Sequence, residues 1–128
     1  MTLLLDTHII LWALSGDVRL PATAEKMITD EANRIFFSIA SMWEVSTEHA
    51  LRPDRMPLSG AEFLHYCEQA GYERLSIHER HVLALESLPS LHADPFDRML
   101  VAQAVADGLL LVTHDAELCA YGDSVCAV

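Results

Sequence analysis

Asp6, Glu44, Asp97 and Asp115 are the residues whose type and position could do chemistry together, because each stands where a short apolar run gives way to a helical pattern. Asp6 follows Leu3-Leu4-Leu5, and Glu44 lies in the first turns of the helix expected after Ile35-Phe36-Phe37. Asp115 follows Leu109-Leu110-Leu111-Val112 by a Thr-His step, and Asp97 sits in the first turn of the helix that leads into that run. Oxygen ligands are what hard divalent cations require, and Mg²⁺ in particular is held by a few carboxylates, with water and substrate phosphate completing its shell. Each acid also has a plain reading. The helix macrodipole alone favours Asp97 in a first turn, Asp94 and Asp115 look like N-caps, and Ser41-x-x-Glu44 would pass as a capping box. Asp6 fits that reading least, since an acid beside a buried strand is costly unless paired.

The elements that must position these acids follow from hydrophobic patterning. Leu3 to Leu5, Ile35 to Phe37 and Leu109 to Val112 are continuous apolar runs of the kind shown by strands buried on both faces, with Tyr72 to Ile77 and Val125 to Val128 as shorter strand candidates. Between them lie helical stretches: one beginning near Asp6-Thr7, one over Pro21 to Ala32, one capped by Ser38 and frayed by Pro53, and one from Ser59 to a stop at Gly71. Ser76 with Glu79 predicts a capping box for a helix whose inner positions are Val82, Leu83 and Leu85. Asp94-Pro95-Phe96-Asp97 supplies an N-cap oxygen, a proline at the first helical position and an acid in the first turn of a helix running to Gly108, and Asp115 to Tyr121 forms a last short helix. Strands alternating with helices predict a parallel sheet covered on both faces, in which ligands bind at the carboxyl ends of the strands. All helices that begin at strand ends start on that edge, so the four acids converge there.

Composition narrows the class. With 128 residues, 52% of them hydrophobic, the chain suits a single domain over 1–128 with its own core. Nineteen Asp and Glu against eight Lys and Arg leave a net charge of −11, the reverse of a protein that holds nucleic acid by bulk positive charge. Cys67, Cys119 and Cys126 form no C-x-x-C pair and are odd in number, which fits a reducing compartment. No signal peptide precedes Asp6 and no apolar stretch is long enough for a membrane span, so a cytoplasmic location is expected.

Four segments together resemble the successive motifs of PIN-domain ribonucleases, specifically the VapC-like toxins of type II toxin–antitoxin pairs. They are Leu4-Leu5-Asp6-Thr7-His8, Ser38-Ile39-Ala40-Ser41-Met42-Trp43-Glu44-Val45, the stretch from His92 through Asp94-Pro95-Phe96-Asp97-Arg98 to Ala104, and Leu111-Val112-Thr113-His114-Asp115. The resemblance covers nearly the whole chain, in the family's order and spacing. It implies a PIN-like three-layer α/β/α fold with a central parallel sheet of four to five strands. It also implies an endoribonuclease that uses Mg²⁺ or Mn²⁺ at Asp6, Glu44, Asp97 and Asp115, with Thr113 as the hydroxyl two residues before the last acid, and a metal-activated water that leaves 3′-hydroxyl and 5′-phosphate ends. Asp94 departs from the pattern of most members, which carry only the acid corresponding to Asp97 at this point. The partners implied are an RNA substrate, a second copy in a homodimer, and a small antitoxin whose tail blocks the acidic groove, often with an arginine.

Other readings meet obstacles in the same residues. A signalling receiver domain needs a lysine after a late strand, and Lys26 is the only lysine; a haloacid-dehalogenase-type phosphatase needs Asp two residues after Asp6, where His8 stands. The rival that survives is a catalytically idle PIN-like module acting only through a protein partner. Of the histidines, His78 and His81 belong on a solvated helix face, while His92 and His114 lie beside Asp94 and Asp115 and could touch the site. Trp12, Trp43 and Phe96 fall at helical spacing among aliphatic residues and are expected in the core. Arg98 can either reach a phosphate or pair with an acid.

Overall fold

Leu3, Leu4 and Leu5 are all fully buried, so the first strand is covered on both faces and must lie inside the sheet. The computed structural model describes residues 1–128. In chain order the elements are β1 (Thr2–Leu5), α1 (Thr7–Ser15), α2 (Ala22–Thr29), β2 (Arg34–Ser38), α3 (Ile39–Leu51), α4 (Gly60–Gln69), β3 (Glu73–Leu75), α5 (Glu79–Ser87), α6 (Pro95–Asp107), β4 (Leu110–Thr113), a 3₁₀ turn (Ala116–Tyr121) and β5 (Val125–Ala127). The five strands form one sheet in the order β3-β2-β1-β4-β5, with β1 at its centre and every pairing parallel. This is the three-layer α/β/α arrangement that alternating strands and helices predict.

Alternation along β1 divides the core. Leu3 and Leu5 point into a cluster with Ile9, Ile10, Phe37, Val45, Phe63 and Cys67, while Leu4 points the other way, to Leu100, Val101, Ala104, Leu111 and Leu118. Gly16 and Gly108 end α1 and α6 in the left-handed conformation, with φ of 63° and 66°. Ser59 and Glu62 form the capping box at the start of α4. No helix is long and apolar enough to cross a membrane.

Four expectations fail around α5 and α2. The box falls on His78 and His81, not on Ser76 and Glu79: the Nδ1 of His81 accepts from the His78 backbone N–H at 3.0 Å. That places His81, which is wholly buried, on the inner face and turns Val82 and Leu83 out to solvent, so neither the solvated histidine pair nor the inner valine and leucine is observed. A charged neighbour decides it. His81 Nε2 lies 2.9 Å from Asp107, which Arg80 also grips through two bonds, and an apolar residue at 81 could not satisfy that carboxylate. The helix expected to reach Ala32 stops at Thr29, where the Asp30 side chain takes the Ala32 N–H in a turn.

On the same face of the sheet, Ser38 donates to the Gln103 carboxamide oxygen at 2.5 Å, and the Gln103 amide donates to the Ser76 carbonyl. Ser38 and Gln103 are both fully buried. Their bond ties the first turn of α3 to the middle of α6, the two helices that carry Glu44 and Asp97.

Candidate functional site

Asp6 leaves β1 at its carboxyl end and is 6% exposed. Its Oδ1 accepts from the Thr7 N–H at 2.7 Å and its Oδ2 from the Thr113 hydroxyl at 2.6 Å. Thr113 stands at the end of the neighbouring strand β4, and its oxygen in turn accepts from the Asp115 N–H at 3.0 Å. One hydroxyl therefore sets two acids that are far apart in sequence. Asp6 caps α1 and Asp115 caps the 3₁₀ turn, so the capping reading and the ligand reading of these residues hold at once: capping uses one oxygen and leaves lone pairs on the other.

Glu44 is not part of a capping box, because Ser38 caps α3 and leaves Glu44 in its second turn. The Thr7 hydroxyl lies 2.7 Å from the Glu44 Oε1 and 2.8 Å from the Ser41 Oγ. It has one proton, and a carboxylate can only accept, so Thr7 donates to Glu44 and accepts from Ser41. Thr7 and Ser41 stand within the motif segments of Asp6 and Glu44, but sequence reasoning gives them no role at the site; their signal is position, Thr7 beside Asp6 and Ser41 one helical turn before Glu44. Asp94 caps α6 through its Oδ1, which takes the N–H groups of Phe96 and Asp97.

Asp97 projects from the first turn of α6 and accepts from His92 Nε2 at 2.9 Å. The same ring nitrogen is 3.8 Å from Asp115, and Nδ1 is 3.7 Å from Glu117. His92, Asp115 and Glu117 thus crowd one spot beside Asp97. Glu117 carries no sequence signal, since an exposed glutamate in a short helix is ordinary. His114 turns elsewhere, bonding the Val128 carbonyl and packing on Trp12.

The electrostatics bind these acids into one group. Burial, with the charges of Asp6 and Asp94 adding to it and only His92 opposing, raises the Asp97 carboxyl to about 6. Burial likewise raises Glu44, with the charges of Asp94, Asp97 and Asp6 adding to it. Asp6 is raised by burial against the pull of its Thr113 and Thr7 hydrogen bonds, with Asp115 adding to the rise. No arginine or lysine pairs with any of these carboxylates. Such a cleft favours either protons or a cation.

Two expectations about its surroundings change. Arg98 pairs with no acid; its Nη1 donates to the Pro89 carbonyl and the Tyr121 hydroxyl, fastening the turn before α6 to the 3₁₀ turn. Trp43 is not a core residue. It is 59% exposed, held edge-to-face against Phe96 with ring centroids 5.0 Å apart, because Glu44 takes the inward direction of that helical turn and leaves residue 43 facing out. A cleft of about 510 Å³ lies elsewhere, between α1, α4 and the loop before it, lined by Trp12, Met56 and Tyr66 and by none of the clustered acids.

Comparison with known proteins adds to this geometry. The sequence matches the PIN domain family over residues 3–123. No curated protein matches it. Among solved structures, VapBC2 from Rickettsia felis, bound to a DNA fragment from their promoter, is similar over 100% of this chain and 98% of the matched chain. The TM-score is 0.71 and the sequence identity 15%, so the likeness is one of fold.

Proposed function

The chain belongs to the PIN domain family, and from that membership we propose that it is a Mg²⁺- or Mn²⁺-dependent endoribonuclease, the toxin of a toxin–antitoxin pair. The observation that carries this reading is the gathering of Asp6, Glu44 and Asp97, buried or half-buried carboxylates each raised first by burial, with the charge of Asp6 raising the other two and no arginine or lysine paired with them. A fold tolerates such repulsion where a cation is to be held.

The donor set fits a hard divalent cation: it is all oxygen on Asp6, Glu44, Asp97 and Asp115, with neither a sulfur nor the several imidazoles that a softer metal would draw. Bound by these residues, Mg²⁺ or Mn²⁺ supplies an acidified water and charge neutralisation at the departing oxygen of a phosphodiester. The chain's own groups do the rest. Thr113 and the Thr7 N–H fix both oxygens of Asp6, each of which keeps a lone pair for a further partner. The Ser41–Thr7–Glu44 relay holds Glu44 toward the same point. His92 occupies Asp97 and must give way or share that oxygen when a cation arrives. Arg98 is held by its Nη1 alone, which leaves Nε and Nη2 to offer a phosphate.

One solved structure in which the fold recurs is a VapBC assembly, which supports an antitoxin as partner here. A homodimer is the expected assembly. The deciding experiment is cleavage of an RNA panel in Mg²⁺ or Mn²⁺ by the wild-type chain and by Asp6→Asn. Metal-dependent cleavage by the first and not by the second is expected. If the wild type cleaves nothing at any metal concentration, the idle binding-module reading takes its place.

A further inference from the structure

The charges on this surface leave a nucleic-acid ligand with little to hold. Of eight cationic side chains, Arg19, Arg34, Arg74 and Arg80 are already paired with Asp17, Glu73, Glu68 and Asp107, and the net charge is −11. Contact with phosphates is the usual source of affinity for RNA, and only Lys26, Arg52, Arg55 and Arg98 remain without an acidic partner to make it. A chain that acts on RNA must therefore gain affinity from groups that carry no charge.

Trp43 and Phe96 are such groups, and they stand at the site. Each directly precedes an acid of the cluster, Trp43 before Glu44 on α3 and Phe96 before Asp97 on α6, so the aromatic pair bridges the same two helices as the carboxylates. The rings meet at 83°, in an edge-to-face contact. Whichever ring offers its edge, at least one face of the indole is left uncovered by Phe96, and the 59% exposure of Trp43 puts it in solvent. Glu44 turns Trp43 outward, and Phe96 restrains the ring there without covering it.

We propose that Trp43, braced by Phe96, is a stacking subsite for an unpaired RNA base next to the scissile phosphate. The proposal rests on the nuclease reading above and deepens it. Every base has a π-face, so stacking tolerates sequence but demands that the base be free of a duplex, and it is indifferent to the negative field that repels phosphates.

Steady-state cleavage of single-stranded RNA in Mg²⁺ or Mn²⁺ by wild type, Trp43→Phe and Trp43→Ala tests it. Trp43→Ala should raise KM roughly tenfold, as the loss of one base–aromatic stack does, and lower kcat by less. Trp43→Phe retains a ring and should restore KM to within about threefold of wild type. Stacking is read separately by fluorescence in a Trp12→Phe background, where Trp43 is the only tryptophan. Single-stranded RNA should quench it, and a duplex of the same sequence should not. Quenching by a chain that cleaves no RNA would reject the nuclease reading and keep the subsite. Cleavage with an unchanged KM for Trp43→Ala and no quenching would reject the subsite and keep the nuclease. Unchanged KM together with a shift from dimer to monomer in sedimentation would assign Trp43 to a protein interface and overturn the proposal.

Discussion

Carboxylates that raise one another's affinity for protons are in the same measure poised for a cation, and each of the three raised acids makes a separate contribution. Exchanging Asp6, Glu44 or Asp97 for its amide keeps shape and removes one ligand charge, so each variant should fold and lose metal-dependent RNA cleavage. Asp97→Asn should be among the most severe, and activity within threefold of wild type for it would overturn its ligand role. The same acids set a pH dependence. Asp97 is raised from its ordinary 3.8 to about 6, so the folded chain binds a proton that the unfolded chain releases between those values. Its contribution to stability is complete below 3.8 and lost as pH rises through 6. Lowering pH from 7 to 5 without metal should therefore stabilise the chain by about 1 kcal/mol from Asp97 alone, with Asp6 and Glu44 acting in the same direction. Asp107, held down to about 2 by Arg80 and His81, has the opposite sign but acts only below that window. Denaturant titrations at the two pH values check this, and saturating Mg²⁺ should abolish the difference.

At the scale of elements, the strands and the acids are legible in the sequence for one reason. A parallel sheet buries its strands on both faces, so they read as unbroken apolar runs, and the residues just after each run lie on the edge where ligands bind. Leu3 to Leu5 ending at Asp6, and Leu110 to Thr113 ending before Asp115, are the clearest cases. Side-chain direction is not legible. The inner face of α5 is decided by Asp107, a residue of another helix, and Trp43 is turned outward by what Glu44 must do, so apolar spacing misassigns both. Buried polar pairs escape for the same cause, since nothing local marks Ser38 and Gln103 as partners across 65 positions. That bond yields a prediction. Gln103→Leu leaves the buried Ser38 hydroxyl without an acceptor and should lower unfolding stability by about 1–3 kcal/mol, measured by denaturant melting. A loss well below about 1 kcal/mol would mean that α3 and α6 hold their positions without it.

For the whole molecule, a charge of −11 makes any polycation a competitor of the metal. Millimolar Mg²⁺ or Mn²⁺ should stabilise the fold by mass action, by about 2.7 kcal/mol at a hundredfold excess over the dissociation constant, seen as a higher melting midpoint. An antitoxin tail that places a guanidinium among Asp6, Glu44, Asp97 and Asp115 should inhibit in partial competition with Mg²⁺ and weaken with salt. Co-purifying the product of the adjacent gene and titrating metal into the complex tests this. A partner that leaves cleavage unchanged at every metal concentration would end the toxin reading.

The Thr113–Asp6 hydrogen bond spans 107 positions, and it joins the central strand to a neighbour made much later. During synthesis Asp6 emerges first and waits, without its hydroxyl partner or the β4 side of its strand, until Leu110–Thr113 has left the ribosome. The acid cluster therefore cannot assemble on a nascent chain that still lacks β4. A chain ended at Gly108 should accordingly show neither native-like sheet by circular dichroism nor metal-dependent stabilisation. Delay is built into the strand order: the acids come together only when the chain is nearly complete.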